Sequence, residues 1–283
     1  MIDGWTETWR GIVSPWECDI TEHFTIAYYF DHLADAASIM AGGLGLAGVS
    51  QSAGRRFDMR FVRELRAGAS FHILSAPIAL DGTSLRFGHQ FVDSANGEAT
   101  AWVEEAINIS AARLPEEVRE AIGRRLLPWP GPAIERRLEP STFEGFIPTA
   151  RDRVKPIDID PDGNFALAAF VHRFTAGCVQ ALAAIGATAS YLEAERRGFS
   201  TFELALQVTE LPRLGSPVRV ETGIVHLGNS SIRLVHRMCD PADGGEFARL
   251  SQFGVQLDLD TRRPAALPEA VRSSAARLIV PIA

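Results

Sequence analysis

The strongest constraint on this chain is that it repeats itself. Gly68 and Gly215, Ser84 and Ser231, Arg86 and Arg233, His89 and His236, Asp93 and Asp240, and Gly97 and Gly244 are identical pairs, each 147 positions apart. Nearer the start of each copy the spacing is shorter, with Asp19 and Asp160 separated by 141. The change of spacing places six additional residues after the helix of the second copy, near Tyr191 to Arg197. Two copies of one unit, about 140 residues each, predict a fused pair, since a solenoid needs three or more repeats.

Within the first copy the periodicity reads as strand, helix and four-strand meander. Thr6 to Val13 is extended. From Thr25 to Ala41 the apolar side chains Ile26, Phe30, Leu33, Ala37 and Met40 recur at helical spacing, with Thr25 as N-cap and Gly42–Gly43 as the stop. Gly45 to Gly54 is a small-residue connection. Phe57, Met59 and Phe61 then alternate with polar neighbours, and strands follow over Ser70–Leu80, Ser84–Val92 and Ala99–Ile109. Asp81–Gly82 and Asn96–Gly97 mark the hairpins between them. A helix over Pro115 to Arg124 closes the copy. Five prolines between Leu126 and Pro148 read as a surface linker. The second copy predicts a strand over Arg151–Ile157, helices over Phe165–Ile185 and Tyr191–Arg197, and strands near Thr201–Leu211, Ser216–His226, Ser231–Met238 and Phe247–Leu257. The domain division is therefore 1–125, a proline-rich linker at 126–148, and 149–283.

Composition excludes some classes. A formal charge of −7, with no basic run longer than a doublet, does not suit a nucleic-acid partner. Three scattered cysteines match neither a disulfide framework nor a zinc pattern, so a reduced, cytoplasmic setting is expected. The first residues are acidic where a secretion signal would be basic. The apolar stretch Phe165 to Ala189 is interrupted by His172, Arg173 and Gln180 and reads as a buried helix, so no membrane span is expected.

A helix enclosed by an antiparallel meander, with the junction Asp19…His23…Tyr29…Asp35–Ala36, resembles the 4-hydroxybenzoyl-CoA thioesterase-like family of hot-dog proteins. The family's helix start reads roughly D-x-x-G-H-V-x-N-x-x-x-Y. Glu22 stands at its glycine and Thr25 at its asparagine. In the second copy Asp160 and Gly163 fit, while Asn164 and Phe170 replace the histidine and the tyrosine. The resemblance implies an α+β architecture of two tandem hot-dog domains forming a pseudo-dimer, with sites between the halves.

It also implies acyl-CoA thioester hydrolysis, with Asp19 as general base or nucleophile, His23 and Tyr29 beside it, and helix N-terminal amides as the oxyanion hole. Asp19 has the competing role of capping the turn. Asp160 and Asn164 form a second site or its relic. Trp5, Trp9 and Trp16 precede the site and read as lid or core residues, with Trp16 the candidate for substrate contact, where a tryptophan-lined pocket would suit a cationic acyl group; Arg55 and Arg56 are the candidates for the coenzyme A phosphates. Cys18 lacks a basic partner, and Asp31 and Asp35 read as a solvated helix face. Coenzyme A enters as part of a small or medium acyl substrate, with no cofactor and no metal. A further homo-oligomer is compatible with this reading. Two other functions are open: an acyl-thioester hydratase or dehydratase, and a non-catalytic acyl-thioester-binding protein.

Overall fold

The computed structural model describes residues 2–19, 21–46, 54–110 and 114–282. The chain divides into two compact units, residues 1–134 with 166–168 and 207–209, and residues 135–165, 169–206 and 210–283.

In the first unit β1 (Thr6–Ile12) leads through a 3-10 turn at Pro15–Glu17 into helix α1 (Ile26–Gly43), followed by β2 (Arg55–Phe61), β3 (Ser70–Leu80), β4 (Ser84–Asp93), β5 (Ala99–Asn108) and helix α2 (Glu116–Gly123). The strands lie in the order β1-β3-β4-β5-β2. Helix α1 buries Ala27, Tyr29, Phe30, Leu33, Ala36, Ala37, Met40 and Ala41. Phe30 meets the Phe57 ring edge-on at 5.5 Å, and each such buried side chain contributes roughly 1.5–3 kcal/mol. Thr25 does occupy the N-cap position, but its side chain makes no cap hydrogen bond. Gly42 and Gly43 lie inside the helix, and the chain turns away at Gly45, whose φ of 74° suits glycine. The expected connection at 45–54 lies largely outside the described residues.

The second unit repeats the programme. β6 (Ile147–Arg153) and a 3-10 turn at Pro156–Asp158 precede helix α3 (Leu167–Ala184), then helix α4 (Ala189–Ala194), β7 (Arg197–Val208), β8 (Pro217–Leu227), β9 (Ser231–Cys239) and β10 (Glu246–Asp258). Their order, β6-β8-β9-β10-β7, is that of the first unit. By length and composition α3 could cross a membrane; here Leu182 packs with Ile224, Ile232 and Leu234 of β8 and β9.

Three expectations are corrected. Pro148 was assigned to the linker, yet it lies within β6. That strand ends the sheet order, where a residue without an amide hydrogen breaks no ladder on its open side. Ile157 is not the end of a strand but part of the 3-10 turn that Pro156 opens. A terminal helix α5 (Glu269–Ala276) was missed, although Leu114–Pro115–Glu116 and Leu267–Pro268–Glu269 repeat at a separation of 153. Residues added after β10, where β11 (Arg263–Pro264) pairs back on Leu257 and Asp258, hid that match. Val271 and Ala275 of α5 pack beside Leu182 and Ile185, as Ile122 of α2 packs beside Met40 and Ala41.

A buried polar chain runs through each sheet. In the first unit the Thr8 and Ser75 hydroxyls meet at 2.7 Å, Ser75 Oγ is 2.7 Å from His89 Nδ1, and His89 Nε2 is 3.2 Å from Glu105 Oε2. The Arg55 guanidinium donates twice to Glu105 Oε1, at 2.8 and 2.5 Å. Burial works to raise the Glu105 pKa, but the Arg55 charge and the His89 bond outweigh it, so the carboxyl lies below its ordinary value. The second unit keeps Thr149, Thr222 and His236, linked at 2.8 and 2.8 Å. At the acid's position stands Gln252, whose amide donates to Cys178 Sγ, and at the arginine's position stands Phe202. Among the described residues, buried His236 Nε2 has no hydrogen-bond partner in good geometry. Desolvation pushes its pKa down to about 3, against the opposing effect of the adjacent Gln252 side chain. The two histidines thus share a framework role, but only the first unit ends its line on an ion pair.

Glu105→Gln strands a buried guanidinium and is expected to cost roughly 3–5 kcal/mol. Arg55→Phe/Glu105→Gln, which copies the second unit, is expected to recover most of that loss in urea denaturation. His236 is held neutral in the fold, whereas an unfolded histidine takes a proton near pH ~6.5. Its contribution is therefore complete above that value and is lost as the pH falls toward about 3. Urea midpoints across this range should fall less steeply in His236→Leu than in the parent.

Candidate active site

The candidate site is the turn from the first 3-10 segment into α1. Glu17 organises it. Its Oε2 accepts the Ser14 amide at 2.6 Å, its Oε1 lies 3.1 Å from His32 Nε2 on α1, and its carbonyl accepts the Thr25 amide at 2.8 Å. The His32 ring is held between Trp9, at 4.2 Å, and Phe24, at 5.8 Å. The second unit has the same pin with other residues: Asp158 receives Arg173 at 3.1 and 2.6 Å. Sequence reading missed both pairs. The 141 spacing that matches Asp19 with Asp160 also matches Glu17 with Asp158 and His32 with Arg173, an acid and a base in each copy.

Residues 19 and 21–23 close a tight loop. The Asp19 amide donates to the His23 carbonyl at 2.9 Å, and the Glu22 amide to the Asp19 carbonyl at 3.0 Å. Asp19 Oδ1 accepts the Thr21 amide at 2.8 Å, the Thr21 hydroxyl at 2.6 Å and the His23 amide at 3.1 Å. Asp19 Oδ2 has no partner among the described residues, and the side chain is exposed. The carboxylate therefore divides its work, one oxygen tying the loop and the other facing outward. Asp160 builds the same loop, with Oδ1 accepting from Asp162 at 3.0 Å and Asn164 at 2.8 Å. Gly163 there has φ 85°, and Glu22, at the family's glycine position, is forced to φ 64°.

His23 is held from both sides. Its Nδ1 is 3.0 Å from the Thr21 hydroxyl, and its Nε2 is 3.0 Å from Glu64 Oε2 in the β2–β3 connection. That connection docks through the Phe24 amide, which donates to the Leu65 carbonyl at 2.9 Å. At the start of α1 the Ile26 and Ala27 amides have no partner among the described residues, leaving hydrogen-bond donors at the positive end of the helix.

Other expected residues lie elsewhere. Tyr29 is a core side chain, 2 % exposed, packed by Phe24, Phe61 and Phe91. Burial pushes its pKa up. Arg55 is committed to Glu105, and Arg56 makes a paired contact with Asp58 at 2.9 and 2.8 Å. Two guanidiniums already spent on carboxylates do not suit the role of phosphate anchors. The tryptophans do not gather at a pocket. Trp5 packs with Trp102 and Trp129, Trp9 covers Phe71 and His32, and Trp16 is 76 % exposed on the 3-10 turn. Burial and the charges of Asp19, Glu17 and Glu22 push the Cys18 thiol up, against a backbone bond from Ala67.

A helix backed by an antiparallel sheet, present twice in one chain, defines a tandem hot-dog protein. The solved structures agree. The chain is similar to an acyl-ACP thioesterase from Bacteroides thetaiotaomicron (12 % identity, 89 % of this chain and 98 % of that one, TM-score 0.67). It is similar to an oleoyl thioesterase from Lactobacillus plantarum (14 %, 94 % and 98 %, 0.67). It is also similar to the 12:0-ACP thioesterase from Umbellularia californica (14 %, 90 % and 93 %, 0.59). Identities this low establish the fold and leave the substrate open. Residues 154–274, less than half of the chain, match the family model described as thioesterase-like superfamily. The match supports thioester hydrolase chemistry. No curated protein matches the chain by sequence.

Glu22→Gly is expected to stabilise the protein by up to about 1 kcal/mol, the left-handed cost of a side chain less the entropy cost of glycine. Thermal denaturation measures it, and a lower midpoint would mean that the Glu22 side chain makes a contribution larger than its strain.

Proposed function

We propose that this protein hydrolyses acyl thioesters at the loop that starts α1. In the reaction RCO–SR′ + H2O → RCOOH + HSR′, Asp19 works through Oδ2. It takes a proton from water as the oxygen of that water bonds to the carbonyl carbon, or it bonds to that carbon itself and is then freed by water. The C–S bond breaks, and the thiolate leaves with a proton. The Ile26 and Ala27 amides are the donors proposed for the carbonyl oxygen as it gains charge. The observation that carries this reading is the division of Asp19, one oxygen locked by three hydrogen bonds and the other left to a reactant.

The acyl group is proposed as small or medium, carried by coenzyme A or by an acyl carrier protein. Two of the structural relatives are named for the latter carrier. The arginines that sequence suggested for coenzyme A phosphates are already paired. The first unit carries the site, because the second lacks the histidine.

Thiol release from a panel of acyl-CoA and acyl-carrier-protein substrates tests the proposal. Asp19→Asn keeps a carbonyl oxygen for the loop and is expected to lower kcat at least about 100-fold while leaving the melting temperature within a few degrees. A folded variant with the parent rate would remove Asp19 from the reaction. A single turnover in 18O-labelled water reports direct attack when water opens the aspartyl–acyl anhydride at the aspartyl carbon, which puts label in the Asp19 side chain, whereas the general-base route puts it only in the released acid.

A further inference from the structure

We infer that Glu17 and His32 are positioning residues of this site, setting the Ile26 and Ala27 amides in place for the carbonyl oxygen. The inference rests on the thioester reading above. Glu17 grips α1 at two points. Its carbonyl accepts the Thr25 amide at 2.8 Å, one residue before Ile26, and its Oε1 lies 3.1 Å from His32 Nε2. Thr25 and His32 are seven positions apart, two helical turns, so both points lie on one face at a separation of roughly 10 Å. One contact at the helix start leaves the axis free to tilt, and a second contact two turns on removes that freedom. The Thr25 side chain makes no cap bond of its own. Glu17 is itself locked by the Ser14 amide, which donates to Oε2 at 2.6 Å, and two residues later the chain reaches Asp19. The reacting carboxylate and the amides are thus both referred to one residue.

Glu17 is 6 % exposed, and burying an acid against a base stabilises a fold less than apolar packing of the same volume often does. What the hydrogen-bonded pair adds is direction, since apolar surfaces slide and a donor aimed at a fixed oxygen does not. The His32 ring lies against Trp9, Phe24 and Phe71, at 4.2, 5.8 and 5.7 Å, so it cannot swing to follow a displaced carboxylate. Reacting groups misplaced by about 1 Å lose up to roughly 100-fold in rate, and oxyanion donors are among the groups so placed. The second unit supplies the control. Its Asp158–Arg173 pin joins the matching turn and helix, and Asp158 Oδ2 accepts the Lys155 amide at 2.7 Å as Glu17 accepts that of Ser14. That pin serves a loop with Asn164 in place of the histidine. Pins that only hold the fold should respond alike in the two copies, whereas a pin that places reacting groups changes the rate in the first copy alone.

The test compares His32→Leu with Arg173→Leu in the full chain, read as melting temperature and as kcat and KM for a thioester that the parent hydrolyses. His32→Leu is expected to lower kcat roughly 10- to 100-fold with KM within about threefold. Arg173→Leu lowers the melting temperature at least as much but keeps kcat within about twofold, because it displaces no reacting group. His32→Gln, whose amide donates to the same Glu17 oxygen, recovers most of the rate. Glu17→Asp, which draws the carboxylate back by one methylene, lowers kcat in the same way and takes the place of His32→Leu should that variant not fold. The carbonyl stretch of a bound ketone analogue, with CH2 in place of the thioester sulfur, reads the two amides directly and moves to higher wavenumber when the pin is broken. Parental kcat in a folded His32→Leu or Glu17→Asp enzyme, an unmoved carbonyl stretch, or an equal fall of kcat in Arg173→Leu overturns the positioning role and leaves the thioesterase reading intact. A parent without activity on any member of the panel overturns that reading, and this inference with it.

Discussion

A single carboxylate oxygen collecting amide hydrogens sets the geometry of each unit. Asp19 and Asp160 each close a loop of five residues at the point where an extended edge gives way to a long apolar helix. A helix start leaves amides without partners, and a chain that must turn sharply there needs an acceptor that is local and charged. Once the loop is closed, the helix direction is given. The apolar face of α1 or α3 then meets its sheet, and the acid–base pin from the 3-10 turn fixes the approach. In the first unit the same carboxylate keeps one oxygen clear of this work, which is how a framework residue can also be a reacting one.

The two copies show how one scaffold tolerates different chemistry inside. Thr8–Ser75–His89 and Thr149–Thr222–His236 are one hydroxyl–hydroxyl–imidazole line built twice. In the first copy the line ends on a buried ion pair, in the second on a carboxamide and a thiol. The ionic version is satisfied at every step, while the neutral version leaves one imidazole nitrogen buried without a good partner and holds the ring uncharged. The divergence at the surface loop parallels this. The copy that keeps His23 and Glu64 has strained its backbone at Glu22, and the copy with glycine there has given up both.

Much of the fold was legible because hydrophobic periodicity is a local property. The helical spacing of Ile26, Phe30 and Leu33, the alternation of Phe57, Met59 and Phe61, and the Asp–Gly and Asn–Gly turns each lie within a dozen residues. Proline misled where topology decides its cost: Pro148 reads as a breaker until its strand is known to lie at the end of a sheet. The terminal helix α5 was hidden by a shift of the repeat and not by a weak signal. At the site, Asp19 and His23 were legible as a motif. Glu64 was not, since nothing in the residues around it announces a histidine forty-one positions away.

The sequence by itself determined the duplication, the order of helix and strands, and the loop at which an aspartate meets a helix start, because each is written in neighbouring residues or in a constant spacing. Only the tertiary structure decided which charges are spent on one another. Arg55 and Arg56 looked like open cations and are closed into ion pairs; Tyr29 looked like a site residue and is core. Ion pairing and burial depend on distance through space, and the sheet brings Arg55 against Glu105 and the β2–β3 connection brings Glu64 against His23 only once the chain has folded.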